Sequence, residues 1–286
     1  MKNASLTHKL AFCVALLAMR LSAAGADAPS APSEPIDGFR DTPMLPSGKW
    51  HLHDPDRPQP PVVTPGETFS QNARAPSDAE VLFDGKDLSK WQDGRGQPAA
   101  WPVHDGYLET QPGGGIRTRG KWADFQLHVE FAEPVPPRGS GQGRGNSGVL
   151  INGMYEVQVL DSFQAKTYPD GQCAAIYGQS PPLVNASKPP GQWQTYDIIF
   201  ESPRWNDKNE LVKKAIITVL HNGIVVQNRY ELVGITDGIS REVPWRSLAK
   251  YSRPHPPEVF IELQDHNNPV RFRNLWIRAL GERDKP

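Results

Sequence analysis

YEVQVLD at residues 155–161 and FIELQDHNNPVRFRN at residues 260–274 set apolar side chains at alternate positions, with Glu, Gln, Asp, His and Arg between them. Successive side chains of a strand point to opposite faces, so Tyr155, Val157 and Val159 predict a core face, while Glu156 and Gln158 predict a polar one. A sheet face that merely meets solvent is usually dressed in Lys, Thr and Ser. Amides, carboxylates and guanidinium groups gathered on one face suit a ligand rich in hydroxyls instead. In the second run Arg271 and Arg273 share a face, offering forked donors that suit the carboxylate of Glu156.

Outward from these two runs the pattern repeats. Strand-like segments occur at 101–104, 107–110, 115–117, 125–131 and 147–151, and again at 193–201, 215–221, 224–228, 259–263 and 270–280. In AIITVLHNGIVVQ, residues 215–227, Asn222 and Gly223 accept the positive φ that a tight hairpin requires. Helical periodicity is scarce. Many short strands punctuated by Gly, Pro and Asn predict an all-β sandwich or jelly roll of two antiparallel sheets over residues 77–282. On the strand FQLHVEF, Gln126, His128 and Glu130 share one face, either as an extension of the polar platform or as the outer face of the sandwich.

Residues 27–76 are rich in proline, with Pro55, Pro58, Pro60, Pro61 and Pro65 close together, which excludes a helix interior or a central strand. They read as a linker or an extended arm, and Trp50, His51 and His53 are the side chains by which an arm would dock. Residues 1–26 place Lys2 and Lys9 before an apolar run and then small residues at 23–26, the layout of a cleaved secretory signal. The expected location is therefore periplasmic or secreted, with no integral membrane segment after cleavage, since the apolar run is shorter than a span needs. Only Cys173 would remain, so no internal disulfide forms, and DGQCAAIYG offers the thiol no neighbouring base.

With 31 Lys and Arg against 32 Asp and Glu there is no basic excess, and no long basic run to neutralise a row of phosphates, so nucleic acid is not an expected partner. No GxSxG elbow, GxxxxGK[ST] Walker loop, dinucleotide fingerprint after a strand, or HExxH pair is present.

LFDGKDLSKW (82–91), GRGNSGVLINGMYEVQVLDS (143–162), AIYG (175–178), ASKPPGQWQTYDI (186–198), LHNGIVV (220–226) and IELQDHNNPVRFRNLWI (261–277) occur in this order. Together they resemble the 3-keto-disaccharide hydrolase family over residues 80–280. The resemblance implies a concanavalin-like jelly roll, often behind an export signal. It also implies cleavage of the glycosidic bond in small saccharides already oxidised at C3, such as 3-keto-trehalose. It implies fold more firmly than activity, since function lives in sites.

A C3 ketone acidifies the hydrogen at C2 and lets the aglycone leave from C1 by elimination, after which water adds to the enone. This route needs a base near C2, an electrophilic group near the C3 oxygen and a proton donor near the leaving oxygen. Glu156 is the first candidate for a catalytic role. His266 follows a strand end and is the side-chain type suited to acid or base work near neutral pH, and Asp265 would orient that ring or instead cap a turn. Gln158, Asn146, Tyr177, Gln264, Arg271 and Arg273 are the substrate-binding candidates. No cofactor is predicted from the motifs. A divalent metal is compatible with Asp161, Asp265 or His266, but no spacing specifies one.

Two other readings use the same face: a noncatalytic carbohydrate-binding module, and an endo-glucanase with paired carboxylates. The second is weakened because Glu156 and Asp161 stand an odd number apart and would point to opposite sides of an ideal strand.

Overall fold

Asn222 and Gly223 take φ of 50° and 82° and close the expected hairpin, with His221 paired to Ile224. In the computed structural model, which describes residues 36–67, 70–236, 238 and 243–284, this hairpin is one edge of a nearly all-β body. The expected export signal at residues 1–26 lies outside the described residues. Numbered along the chain, the strands are β1 (Glu80–Phe83), β2 (Trp91–Asp93), β3 (Val103–His104), β4 (Tyr107–Glu109), β5 (Ile116–Thr118), β6 (Phe125–Ala132), β7 (Ser147–Ile151), β8 (Tyr155–Val159), β9 (Gln194–Glu201), β10 (Arg204–Trp205), β11 (Leu211–Lys213), β12 (Ile216–His221), β13 (Ile224–Glu231), β14 (Ile261–Leu263) and β15 (Arg271–Ala279).

Two antiparallel sheets make the β-sandwich. One runs β13-β12-β9-β6-β15-β4-β3, with β1 also paired to β15, and the other runs β2-β5-β14-β7-β8. β10 and β11 form a separate ribbon. The period-two pattern decides what lies between the sheets. Leu127, Val129, Phe131, Tyr196, Ile198 and Phe200 face inward from the first sheet, and Val149, Ile151, Tyr155, Val157, Val159, Ile261 and Leu263 from the second, all essentially inaccessible. Burying each such side chain contributes about 1.5–3 kcal/mol. The Tyr196 hydroxyl crosses this core to donate to the carbonyl of Gln158 at 2.6 Å, tying β9 to β8.

The second run is not one strand. Its first part is β14 in the five-stranded sheet and its last part opens β15 in the other, so residues 264–270 carry the chain across the sandwich. The Asp265 carboxylate accepts from the Asn267 N–H at 2.8 Å, Asn267 has φ 58°, and Pro269 can donate nothing to a ladder. The turn chemistry ends β14 there.

The Pro-rich segment docks on the sandwich. The Phe39 N–H donates to the His53 carbonyl (2.8 Å), the Leu52 N–H to Pro43 (3.0 Å), the Gln59 amide to Thr167 (2.9 Å) and the Val63 N–H to Asn185 (2.9 Å). Leu52 and His53, rather than Trp50, are its fully buried anchors. Gly38 permits the close approach, since a Cβ there would lie 2.7 Å from the His53 carbonyl oxygen. Among the described residues no helix is long and apolar enough to cross a membrane.

Candidate active site

The outward face of the five-stranded sheet is the floor of a cavity of about 760 Å³. Register places the side chains. Glu156 on β8 stands opposite Leu150 on β7, which stands opposite Glu262 on β14, so the two carboxylates share one row of one face. Their Cα atoms are two strand spacings apart, on the order of 10 Å. Gly148, next along β7, makes room for Glu156: a Cβ at Gly148 would meet the carboxylate Oε1 at 2.5 Å. Glu156, Gln158, Asn146, Tyr177, Gln264, Asp265 and His266 all line this cavity, so the structure brings together seven of the residues singled out from the sequence.

Its amides form a network with a determined orientation. The Gln142 Nε2 donates to the carbonyl of Gly171 at 2.9 Å, which makes its Oε1 the acceptor. The Gln158 Nε2 must therefore be the donor to that Oε1, at 3.0 Å, and the Asn146 Nδ2 donates to the Gln142 carbonyl at 2.7 Å. The consequence is that Gln158 Oε1 and Asn146 Oδ1, together with Gln264 Oε1, are buried acceptors that receive no hydrogen bond from any described residue. A buried polar atom left unpaired costs about 1–3 kcal/mol, and a ligand presenting several hydroxyls would complete all three. Alongside β8, where the Tyr177 N–H donates to the Glu156 carbonyl at 3.2 Å, the hydroxyls of Tyr168 and Tyr177 are hydrogen-bonded to one another at 2.5 Å. Behind them His53 packs 4.3 Å from the Tyr168 ring, and Asp170 accepts from the His53 backbone N–H at 3.0 Å.

Burial pushes the Glu262 carboxyl above its ordinary range, against an opposing pull from Arg117. Asp265 is held otherwise: one carboxylate oxygen accepts from the N–H groups of Gly113 (3.0 Å) and Gly114 (3.1 Å), so it pins that turn to the rim. His266 is exposed at the mouth.

The structure separates Arg271 and Arg273 from this cavity, because β15 belongs to the other sheet. Arg271 pairs with Glu109 at 3.2 Å and Arg273 with Glu130 at 2.7 Å, with the Arg273 guanidinium 4.1 Å over the Trp193 ring. Neither reaches Glu156. The row Gln126, His128 and Glu130 lies on that same outer face, and the arm closes over it, with the Asn72 N–H donating to Glu130. Burial alone would raise Glu130, but hydrogen bonds from His128, Asn274, Arg273 and Asn72 hold it at about 2.

Asp161 is bound by Arg144 at 2.7 Å. Cys173 is buried, its thiol pushed up to about 12 by burial and by nearby Glu133, as suits an inert core residue. Among the described residues no three His, Cys, Asp or Glu side chains converge as a metal-binding group.

Sequence reasoning missed Glu262, Tyr168, Gln142, Phe39 and Trp245, which also line the cavity. Glu262 was within reach, since it stands two residues before Gln264 and so shares its face. The others come from loops and from the arm, for which no periodicity exists.

Compared with known proteins, residues 78–278 match the family described as a 3-keto-alpha-glucoside-1,2-lyase-like domain. A 3-keto-disaccharide hydrolase from Bacteroides thetaiotaomicron is 24% identical over 257 aligned residues, covering 72% of this chain and 80% of that protein. The crystal structure of a candidate glycosyl hydrolase from Parabacteroides distasonis is 42% identical with a TM-score of 0.68, over 78% of this chain and 93% of that one. A second from the same organism, at 24% identity and TM-score 0.50 over 71% and 99%, shares the fold.

Proposed function

This chain belongs to the 3-keto-alpha-glucoside-1,2-lyase-like domain family, and from that premise we propose that it is an exported enzyme that cleaves 3-keto-disaccharides by acid/base chemistry at the Glu156 cavity. The observation that carries the reading is the trio of buried amide oxygens of Asn146, Gln158 and Gln264, without a partner among the described residues, beside two carboxylates. Sugar hydroxyls are donors that such acceptors bind.

Glu156 removes the proton at C2. The electron pair passes into the C2–C3 bond and onto the C3 oxygen as an enolate, to which one hydroxyl of the Tyr168–Tyr177 pair donates while the proton of the other is used within the pair. As the ketone re-forms, the C1–O bond breaks with a new C1–C2 double bond, and the leaving oxygen takes a proton. Glu262, whose burial favours its neutral form, supplies it. Water then adds, its oxygen to C1 and its proton to C2, giving the free 3-keto sugar. No oxocarbenium ion forms, so the carboxylates need not flank the bond as in ordinary glycosidases. His266 at the mouth exchanges protons with solvent between turnovers. The amino-terminal charge and apolar pattern of residues 1–26 supports export to the periplasm or beyond.

The test incubates wild-type and Glu156→Gln protein, with and without chelator, with 3-keto-trehalose and with unoxidised trehalose in D2O. The expected result is cleavage of the keto sugar alone, deuterium at C2 of the product, and loss of both in the folded variant. The chelator arm reads any divalent-ion requirement. Cleavage that persists in Glu156→Gln overturns the base assignment, and retention of saccharide without product makes the domain a binding module.

A further inference from the structure

The cavity has a second, aromatic end, and part of it comes from outside the family's domain. Asp37, Gly38 and Phe39 line the cavity, yet the family match begins at residue 78. Phe39 meets Trp245 edge to face, with centroids 5.3 Å apart and planes at 88°. Trp245 is 55% exposed although it lines the cavity, an unusual cost for an indole. The pair is held in place from behind. The Arg246 guanidinium lies 4.1 Å over the Phe39 ring and also pairs with Asp41, so one arginine fixes two points of the arm to the loop that carries Trp245. Two rings ordered in advance, one with much of its surface open, make a stacking surface rather than a core remnant.

Resting on the acid/base reading above, we infer that Phe39 and Trp245 form the subsite for the departing ring, so that the enzyme selects aglycones with a flat apolar face, a hexopyranose or an aryl group, over small alkyl ones. The polar floor holding Asn146, Gln158 and Gln264 takes the keto sugar. Two hexose rings occupy roughly 400 Å³ on the scale of about 30 Å³ per water, which the cavity of about 760 Å³ admits. The axial C–H groups of a pyranose offer the apolar face that an indole stacks upon, while its hydroxyls remain in solvent at the mouth.

The test measures kcat and KM of wild-type, Trp245→Ala, Trp245→Phe and Phe39→Leu proteins on 3-keto-trehalose and on methyl 3-keto-α-glucoside. Because Trp245 is largely solvent-exposed, its replacement leaves the core intact. Trp245→Ala should raise KM for the disaccharide roughly tenfold, with kcat within about twofold, leave the methyl glycoside unchanged, and be largely rescued in Trp245→Phe. Phe39→Leu should shift the disaccharide in the same direction. Equal losses on both substrates, or none on either, overturn the subsite. Should wild-type protein turn over neither substrate, the acid/base reading fails separately. Calorimetric titration with unoxidised trehalose then decides the subsite by the same comparison of wild-type with Trp245→Ala: weaker binding supports it and equal binding overturns it.

Discussion

Replacing Gly148 by alanine perturbs the carboxylate of Glu156 without touching its chemistry. A Cβ at this position would lie 2.5 Å from Glu156 Oε1 and 3.1 Å from Leu150 Cδ1, whereas ordinary contact begins at 3.4 Å. The carboxylate is the movable end of a side chain, so it retreats by roughly the 0.9 Å difference, while the two strands keep their register. A misplacement of about 1 Å at a reacting group costs on the order of a hundredfold. Stability changes little, because alanine in a strand recovers about 0.5–1 kcal/mol of backbone entropy against a mild crowding of Leu150. The assay is kcat/KM on 3-keto-trehalose beside the urea midpoint, for Gly148→Ala, Glu156→Gln and the double variant. A hundredfold loss in Gly148→Ala, with no further loss when it is added to Glu156→Gln, is the expected outcome, since both changes act through one group. Turnover within twofold of wild type in folded Gly148→Ala would refute the placement of the reacting carbon against this carboxylate.

Glu262→Gln should lower turnover of 3-keto-trehalose about a hundredfold but barely affect an aryl 3-keto-glucoside whose phenol leaves unassisted, and equal losses on both would remove Glu262 as proton donor. Arg271→Ala and Arg273→Ala should each keep kcat/KM within about twofold. Arg273→Ala alone should lose roughly 1–3 kcal/mol in chemical denaturation, because it strips a partner from fully buried Glu130, and a tenfold fall in activity would return these arginines to the site. Glu133, fully buried and accepting from its own backbone N–H and, at both carboxylate oxygens, from the Gln194 amide, is pushed up to about 8 by burial. Its folded value lies above its unfolded one, so its contribution is complete below about pH 4.5 and is lost as pH rises to 8, by at most about 5 kcal/mol. Thermal melts of Glu133→Gln should be flatter over that window, and an unchanged pH slope would show that Glu133 is already ionised in the native state.

Local alternation was legible wherever a strand carries it. The limits of β7 are those read from its residues, and Asn222–Gly223 closes the hairpin as those residue types require. Glu156, Gln158 and Gln264 meet in one cavity because the face of β8 and the end of β14 follow from a period of two, while Asn146, Tyr177, Asp265 and His266 reach it from turns and loops. What alternation cannot report is which sheet a strand joins. The turn at 264–270 sends β15 to the other sheet, and Arg271 and Arg273 go with it. Nor does a periodicity exist for loops, so Tyr168, Trp245 and the arm residue Phe39 became visible only once long-range hydrogen bonds had folded residues 36–67 onto the sandwich.

The two outward faces of this sandwich show why polarity alone does not identify a binding surface. Both carry Glu and amide groups, and from sequence the row Gln126, His128, Glu130 reads much like the row Glu156, Gln158. On the first face the polar groups pair with one another: Arg273, Asn274, the Asn72 N–H and His128 converge on Glu130, and the His128 Nδ1 donates to Asp197 at 2.8 Å. That face is closed by its own chain and contributes to stability. On the second face the amide nitrogens of Asn146 and Gln158 donate within the protein while three acceptors receive no hydrogen bond from any described residue, and the chain leaves about 760 Å³ in front of them. Buried acceptors without a partner that face open space mark a place where something outside the fold can complete them. The acceptor surplus also sets the kind of ligand, because an acceptor-lined floor binds hydroxyls and repels anions. A sugar carrying a phosphate or carboxylate on the ring that meets this floor should therefore be excluded, and a neutral keto sugar with its hydroxyls intact admitted.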